Sequence, residues 1–420
     1  MEKQLFQKVI GYSDIKLELT RILDQLADPK KYAAVNVQEP HGLLLHGEPG
    51  VGKSTMAMEF LEGSKRNKYI CRKNKSNGKF VDEIVSIFDE AEKNAPSVIL
   101  LDDLDKFANE DESHRDAEEF VTVQACIDRV KDKQVFVVAT VNQMHKLPDS
   151  LIRAGRFDHV IEIKCPERED AEEIIAHYMA QKSFMGDIDV KLIARLLEGH
   201  SCAELEMVIN QAGSFAVFDG SQQVGMKDMI KAILRIIFKA PEKTGETKAG
   251  LQHVAYHEAG HALMAELLES GSVNLVTILA HETNITGLTS YYRDDEYFFS
   301  KHLMENRVMC LLAGKAATEI RYGVVDTGSI SDLRRAFDIV SRFVVDYCSY
   351  GFDQFVYKGV SSNGVLDRRD TRVAAEVANY YNKTRQLLME NRDKLEALAC
   401  KLLEEKTLLG SQVQEVLKSA

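Results

Sequence analysis

Gly47-Glu48-Pro49-Gly50-Val51-Gly52-Lys53-Ser54 follows three leucines, Leu43-Leu44-Leu45, and precedes a helical pattern that runs from Ser54 to Glu62. Apolar strand, glycine-rich turn and helix, in that order, make a phosphate-binding loop. Its glycines let backbone N–H groups turn toward phosphate oxygens at the positive end of the following helix. Lys53 is placed to reach the β- and γ-phosphates of ATP, and the Ser54 hydroxyl to ligate Mg²⁺. The run from Gly47 through Thr55 is therefore the candidate nucleotide site.

Around this loop, short apolar runs alternate with helical patterns. His41–Leu45, Tyr69–Cys71, Ser97–Leu101, Val135–Thr140 and Val160–Ile163 read as strands, with helices such as Val81–Lys93 between them. The alternation predicts an α/β domain over residues 1–165, with a parallel sheet covered by helices on both faces. Ligands of such sheets gather at the C-terminal strand ends. One of these ends delivers Asp102-Asp103. Either Asp102 holds the magnesium shell while Asp103 orients the attacking water, or both are solvated acids. Another strand delivers Asn142, a neutral side chain able to position water. Arg153 and Arg156 follow near a turn, three residues apart. They are either a solvated face or cations that stabilise charge on the transferring phosphoryl group.

From Pro166 the pattern becomes helical, with Arg168–Gln181, Val190–Leu197, Cys202–Phe218 and Met226–Phe238 at helical spacing, so 166–238 reads as a small helical subdomain. Residues 239–250 are polar, with Pro and Gly, and read as a linker. The last domain, 251–420, is mostly helical, with one strand pair expected around Leu275–Leu279 and Gly287–Tyr292.

That last domain opens on a second chemical signature, His257-Glu258-Ala259-Gly260-His261. Two histidines four apart share one helix face and can bind one metal ion. Glu258 lies beside them as a candidate general base toward a metal-activated water. A catalytic Zn²⁺ wants three protein ligands and one open position. Composition does not identify the third, because many acids follow.

The run from Asn142 to Asp158 resembles the second region of homology of AAA+ ATPases. Joined to the downstream zinc motif, the chain resembles the FtsH family of ATP-dependent metalloproteases over nearly its whole length, starting near Phe6. The resemblance implies an AAA+ domain with a helical lid at 166–238, followed by a mostly helical zinc metallopeptidase domain. It implies that Ile10 and Gly11 flank the adenine, and that Arg153 and Arg156 act on a neighbouring subunit's nucleotide in a ring, usually a homo-hexamer. Thr327-Gly328-Ser329-Ile330-Ser331-Asp332-Leu333 is similar to the family segment whose aspartate completes the zinc site, which nominates Asp332.

Several positions depart from that family's pattern. Asp103 stands where the family has glutamate; the shorter side chain predicts slow ATP hydrolysis, since a displacement near 1 Å can cost ~100-fold. The aromatic-Val-Gly loop that grips polypeptide in the family's pore has no counterpart between Tyr69 and Phe80. Phe80 either substitutes from a shifted position or opens the next helix. Cys202 replaces a glycine near the nucleotide, and Tyr178 replaces a histidine. Thr318-Glu319 stands where two glutamates are usual, which predicts a lost contact behind the metal.

The chain has 420 residues and a formal charge of −12, from 53 basic and 65 acidic side chains. That charge repels a phosphate backbone and argues against nucleic acid as the main partner. Seven dispersed cysteines, none in a C-x-x-C pair, suit reduced thiols in the cytoplasm. No apolar run approaches the ~20 residues of a membrane span. The family's N-terminal anchor has no counterpart, so the chain is either a soluble relative or begins after the anchor.

The expected function is an ATP-dependent zinc endopeptidase that unfolds or translocates polypeptides and cuts them. Peptide would lie along an edge strand near 275–292 by strand addition. Two alternatives stand beside it: an ATP-gated peptidase of unfolded chains with weak threading, and a ring-forming ATPase scaffold with a vestigial protease.

Overall fold

The computed structural model describes residues 5–37, 39–73, 79–108, 117–153, 155–182, 186–240, 247–279, 287–291, 300–324, 328–352 and 363–420. The chain divides into two compact units, residues 1–232 and 233–420.

In the first unit, helices α1 (Ser13–Ala27) and α2 (Pro29–Ala33) precede β1 (Gly42–His46) and α3 (Lys53–Ser64). There follow β2 (Asn67–Cys71), α4 (Phe80–Lys93), β3 (Ser97–Leu101), α5 (Glu118–Val130), β4 (Val135–Val141) and β5 (His159–Glu162). The five strands form one parallel sheet in the order β2-β3-β4-β1-β5, as the alternating sequence pattern predicts. Strand alternation explains how both faces are covered. Val135, Val137, Ala139 and Val141 point to the side where Ile84 and Phe88 of α4 and Phe120 and Ile127 of α5 pack. Phe136 points the other way and stacks on Phe60 of α3, with ring centroids 5.7 Å apart.

Four helices complete this part of the chain: α6 (Arg168–Ala180), α7 (Val190–Leu196), α8 (Cys202–Phe218) and α9 (Met226–Ile236), within which the division between the units falls. Ser201 starts α8 with a capping box: its hydroxyl accepts from Glu204 N–H while the Glu204 carboxylate accepts from Ser201 N–H.

The second unit is built on α10 (Lys248–Leu268), α11 (Lys301–Tyr322), α12 (Ile330–Val345), α13 (Asn363–Glu390), α14 (Arg392–Glu405) and α15 (Gly410–Ser419). Thr247 caps α10 by accepting from Gly250 N–H at 3.2 Å. Lys248–Gly250, read from sequence as the end of a linker, are therefore the first turn of a helix, and 241–246 lie outside the described residues. A β-carbon on Gly260 would stand 2.5 Å from Ala317 Cβ and 2.6 Å from Ala313 O. Only glycine lets α10 and α11 approach this closely.

Three strands, β6 (Val273–Thr277), β7 (Leu288–Tyr291) and β8 (Thr407–Leu409), form an antiparallel sheet in the order β7-β6-β8. The pair β6-β7 matches the expectation. The third strand does not: β8 has three residues, too short for an alternating pattern to show. Because β8 pairs with β6, the expected edge strand narrows to β7. No helix among the described residues is long and apolar enough to cross a membrane.

Candidate nucleotide and metal sites

Strand register assembles the nucleotide site. Leu45 pairs with Thr140 and Leu101 with Ala139, so the residues leaving β1, β3 and β4 emerge at one edge of the sheet. Gly52 precedes α3 at φ 99°, a left-handed conformation that L side chains rarely adopt. This aims the first N–H groups of α3 back over the loop, where a phosphate would sit. Lys53 is only 5 % exposed, and its ammonium donates to Gly47 O at 2.8 Å and Glu48 O at 2.6 Å. Burial pushes its pKa down, against the opposing pull of Asp103 and Asp105.

Asp102 is buried and fully engaged. Its Oδ1 accepts from Ser54 Oγ at 3.0 Å and from Thr140 Oγ1 at 2.7 Å. Its Oδ2 accepts from the Arg72 guanidinium. Ser54 and Asp102 form a hard-oxygen pair of the kind that suits Mg²⁺ and its water shell.

Asp103 stands at φ 56°, a strained position that Asp tolerates better than most residues. Its N–H donates to Thr140 Oγ1 at 2.8 Å. Its carboxylate accepts from Asn142 Nδ2 at 3.0 Å and from Lys106 Nζ at 2.8 Å. Burial would raise its pKa, but the bonds to Lys106 and Asn142 outweigh that and hold it below the ordinary carboxylate value.

The sequence reading missed Arg72, Thr140, Asp105 and Lys106. Asp105, 7 % exposed, accepts from Asn142 N–H at 3.2 Å and Gln143 N–H at 3.3 Å, which fixes the loop carrying Asn142. The third acid in Asp102-Asp103-Leu104-Asp105 was its available signal.

The N-terminus of α8 sits on the phosphate loop. Ala203 N–H donates to Gly50 O at 3.1 Å, and Cys202 Sγ lies 3.7 Å from Val51 O. Gly11 is buried against Asp170, whose carboxylate accepts from Tyr12 N–H at 2.8 Å. The Tyr12 hydroxyl donates to Lys164 O at 3.0 Å and stands 3.4 Å from Cys202 Sγ. Cys202, in place of a glycine, thus fills space beside Tyr12, and burial pushes its thiol pKa up. Tyr178 is half-buried, and burial together with Glu206 raises its pKa. Phe80 opens α4 and is buried edge-on against Phe107, with centroids 4.8 Å apart. Of residues 76–80, which stand in the place of the family's pore loop, 76–78 lie outside the described residues.

The two arginines differ. Arg156 is held by Asp128 through two bonds of 2.9 and 2.8 Å and by Ser150 O. Arg153 is exposed, and its guanidinium makes no hydrogen bond or ion pair among the described residues, although its carbonyl accepts from Arg156 N–H at 3.2 Å.

The metal site is built by α10, α11 and α12. His257 Nε2 and His261 Nε2 are 3.0 Å apart, and Asp332 Oδ2 lies 3.3 Å from the first and 3.4 Å from the second. Ligand atoms on a tetrahedral Zn²⁺, at about 2.0–2.1 Å from it, stand about 3.3–3.4 Å apart. The three donors fit that ion, and they are the one such group of His, Cys, Asp or Glu among the described residues. His261 Nδ1 lies 2.7 Å from Cys310 O, and a carbonyl only accepts. Nδ1 therefore carries a proton, and Nε2 is the ring atom turned toward Asp332 and His257. Burial lowers the His261 pKa, but the neighbouring Asp332 carboxylate overrides it and lifts it to about 9. The same contacts hold Asp332 well below the usual carboxylate range, against its burial.

Gly314 of α11 faces this cluster: a β-carbon there would stand 2.5 Å from His261 Nε2 and 2.6 Å from His257 Nε2. Glu258, 6 % exposed, accepts from Thr289 Oγ1 of β7 at 2.7 Å, a partner that sequence reading did not find. Thr318 is buried with its hydroxyl bonded back to Gly314 O and Lys315 O, and Glu319 bonds Lys315 and Tyr381. Among the described residues, neither side chain hydrogen-bonds to the three metal donors.

Residues 43–165 match the AAA family (ATPase family associated with various cellular activities), and residues 246–416 match peptidase family M41. The chain is 30 % identical to ATP-dependent zinc metalloprotease FtsH 1 of a Thermoanaerobacter species, over 98 % of this chain and 72 % of that protein. It is 29 % identical to ATP-dependent zinc metalloprotease FtsH of Thermus thermophilus, over 99 % of this chain and 71 % of the relative. A third relative, FtsH of Pelobacter propionicus, is 28 % identical over 99 % of this chain and 71 % of its own length.

Proposed function

The chain belongs to the FtsH family of ATP-dependent zinc metalloproteases, and on that premise we propose that its nucleotide site drives polypeptide toward hydrolysis at His257, Glu258, His261 and Asp332. It is an ATP-dependent zinc metalloprotease that uses Zn²⁺, ATP and Mg²⁺. The observation that carries the site assignment is the 3.3 and 3.4 Å approach of Asp332 to the two imidazoles.

When bound, zinc supplies a Lewis acid that polarises a carbonyl and acidifies a water. His257, His261 and Asp332 would hold it, with Cys310 O orienting the His261 ring through Nδ1. Glu258 takes the proton from the attacking water and returns it to the leaving amine. Thr289 keeps the Glu258 carboxylate on the β7 side of the site. The outer edge of β7 receives the substrate as an added strand, so that main-chain hydrogen bonds lay it beside Glu258.

At the nucleotide, Lys53 and the N–H groups of α3 hold phosphate, Ser54 and Asp102 hold the magnesium shell, and Asp103 with Asn142 orients water. Arg153, whose guanidinium has no partner among the described residues, reaches the nucleotide of the next subunit in a homo-hexameric ring; Arg156 is anchored beside Asp128. Unpaired cysteines fit a cytoplasmic location.

A second reading, a peptidase of unfolded chains with weak threading, is favoured by one observation: Phe80 is buried in the core rather than available to grip polypeptide. Convergence of the three metal donors counts against the third reading, a scaffold with a vestigial protease.

ATP-dependent degradation of a casein-like chain and of a stably folded protein tests these readings. The parent should cut, Glu258→Gln should keep ATPase but not cut, and Lys53→Ala should lose both. Cleavage by Glu258→Gln at the parent rate would overturn the assignment. Degradation of the unfolded protein alone selects the second reading.

A further inference from the structure

The parallel pairing of β2 and β3 places Cys71 beside Leu101, and Asp102 N–H donates to Cys71 O at 3.0 Å. The next residues along, Arg72 and Asp102, are therefore neighbours by register. Arg72 closes on the oxygen of Asp102 that Ser54 and Thr140 leave open. The Asp102 side chain is 6 % exposed, while that of Arg72 is 53 % exposed. The remaining oxygen of the buried acid is thus met by a cation that approaches from the solvent side.

A hydrated divalent cation on Ser54 needs Asp102 as acceptor for its water shell. The guanidinium holds one oxygen of that acceptor and repels the incoming charge. An arginine stays charged at any working pH, so protonation does not release the contact. We infer that Arg72 is a resident cation of the magnesium position, which Mg²⁺ displaces before nucleotide is held productively, and that this raises the magnesium requirement of nucleotide binding. The inference rests on the reading of the phosphate loop as an ATP site.

The test is equilibrium binding of a fluorescent ATP analogue to the full chain, titrated with Mg²⁺ upward from excess EDTA. Parent, Arg72→Ala and Arg72→Lys are compared. The magnesium concentration giving half of the affinity gain should fall about tenfold in Arg72→Ala, as expected when a charge-assisted bond to a buried acid is removed. Arg72→Lys, which keeps a point charge but loses the planar fork, should fall in between. Affinity at saturating Mg²⁺ should stay within about threefold, because Arg72 leaves Asp102 when the ion arrives.

A midpoint that stays put, or moves upward, overturns the inference. Binding of no nucleotide by any of the three proteins would instead overturn the ATP reading, and this inference with it. Because Arg72 is half exposed at a strand end, the fold should tolerate both changes; should Arg72→Ala unfold, the Arg72→Lys midpoint decides, a downward shift supporting the inference and no shift overturning it.

Discussion

Asp332 Oδ2, in the first turn of α12, lies 3.3 Å from His257 Nε2 in the middle of α10. The distance is that of two corners of one tetrahedron, and it gives the carboxylate a definite task. Asp332→Ala should lower zinc content after purification by more than the ~10–100-fold in affinity that loss of an outer partner costs. Peptide cleavage should fall in parallel, while ATPase activity stays. Stoichiometric zinc in the variant, measured by elemental analysis, would show that another group completes the site.

Gly314 offers a test that touches no ligand. Replacing a helical glycine with alanine ordinarily stabilises a helix by about 0.5–1 kcal/mol. Here the added methyl would sit 2.5 Å from His261 Nε2, where zinc ligands converge. Gly314→Ala should therefore retain helicity yet lose most of its zinc and its peptidase activity. Circular dichroism and metal analysis on one sample decide it; full zinc occupancy would mean that the imidazoles move aside without cost.

Thr289 holds Glu258 from β7 at 2.7 Å. General-base catalysis contributes ~10²–10⁴-fold, and that depends on where the base points. Thr289→Val, close in size but without the hydroxyl, should lower kcat on peptides about tenfold with zinc content unchanged. Thr289→Ser should restore most of it. Equal losses in Val and Ser variants would assign Thr289 a packing role instead.

Much of this was legible because the signals are local. The phosphate loop, the alternating strands and the histidine pair four apart each lie within a short window, and the five-stranded sheet and α10 follow from them. What sequence could not supply is cross-chain register. Arg72 and Thr140 reach Asp102 only because β2, β3 and β4 pair in one frame. Thr289 meets Glu258 only because β7 folds back beside α10. Asp332 lay among many acids, and only family resemblance picked it out before the folded positions were seen. The short β8 carries too few residues to declare itself, which left β6 looking like an edge strand.

Arg153 and Arg156 look equivalent in sequence and are not equivalent in the fold. Arg156 spends its guanidinium on Asp128 and Ser150, so its charge is already answered within its own chain. Arg153 is exposed and unanswered among the described residues. An arginine that completes a neighbour's site is worth ~10³–10⁵-fold in phosphoryl transfer. Arg153→Ala should thus cost ATPase about a thousandfold with nucleotide affinity little changed, whereas Asp128→Asn, which frees Arg156 at an exposed ion pair worth about 0–1 kcal/mol, should cost little. If Arg153 acts in trans, mixing Arg153→Ala with Lys53→Ala subunits creates some interfaces where an intact phosphate loop faces an intact arginine. Part of the ATPase activity should then return in the mixture, although neither variant hydrolyses alone. No recovery on mixing, with exchange of subunits shown by fluorescence transfer, would place Arg153 outside the neighbour's site.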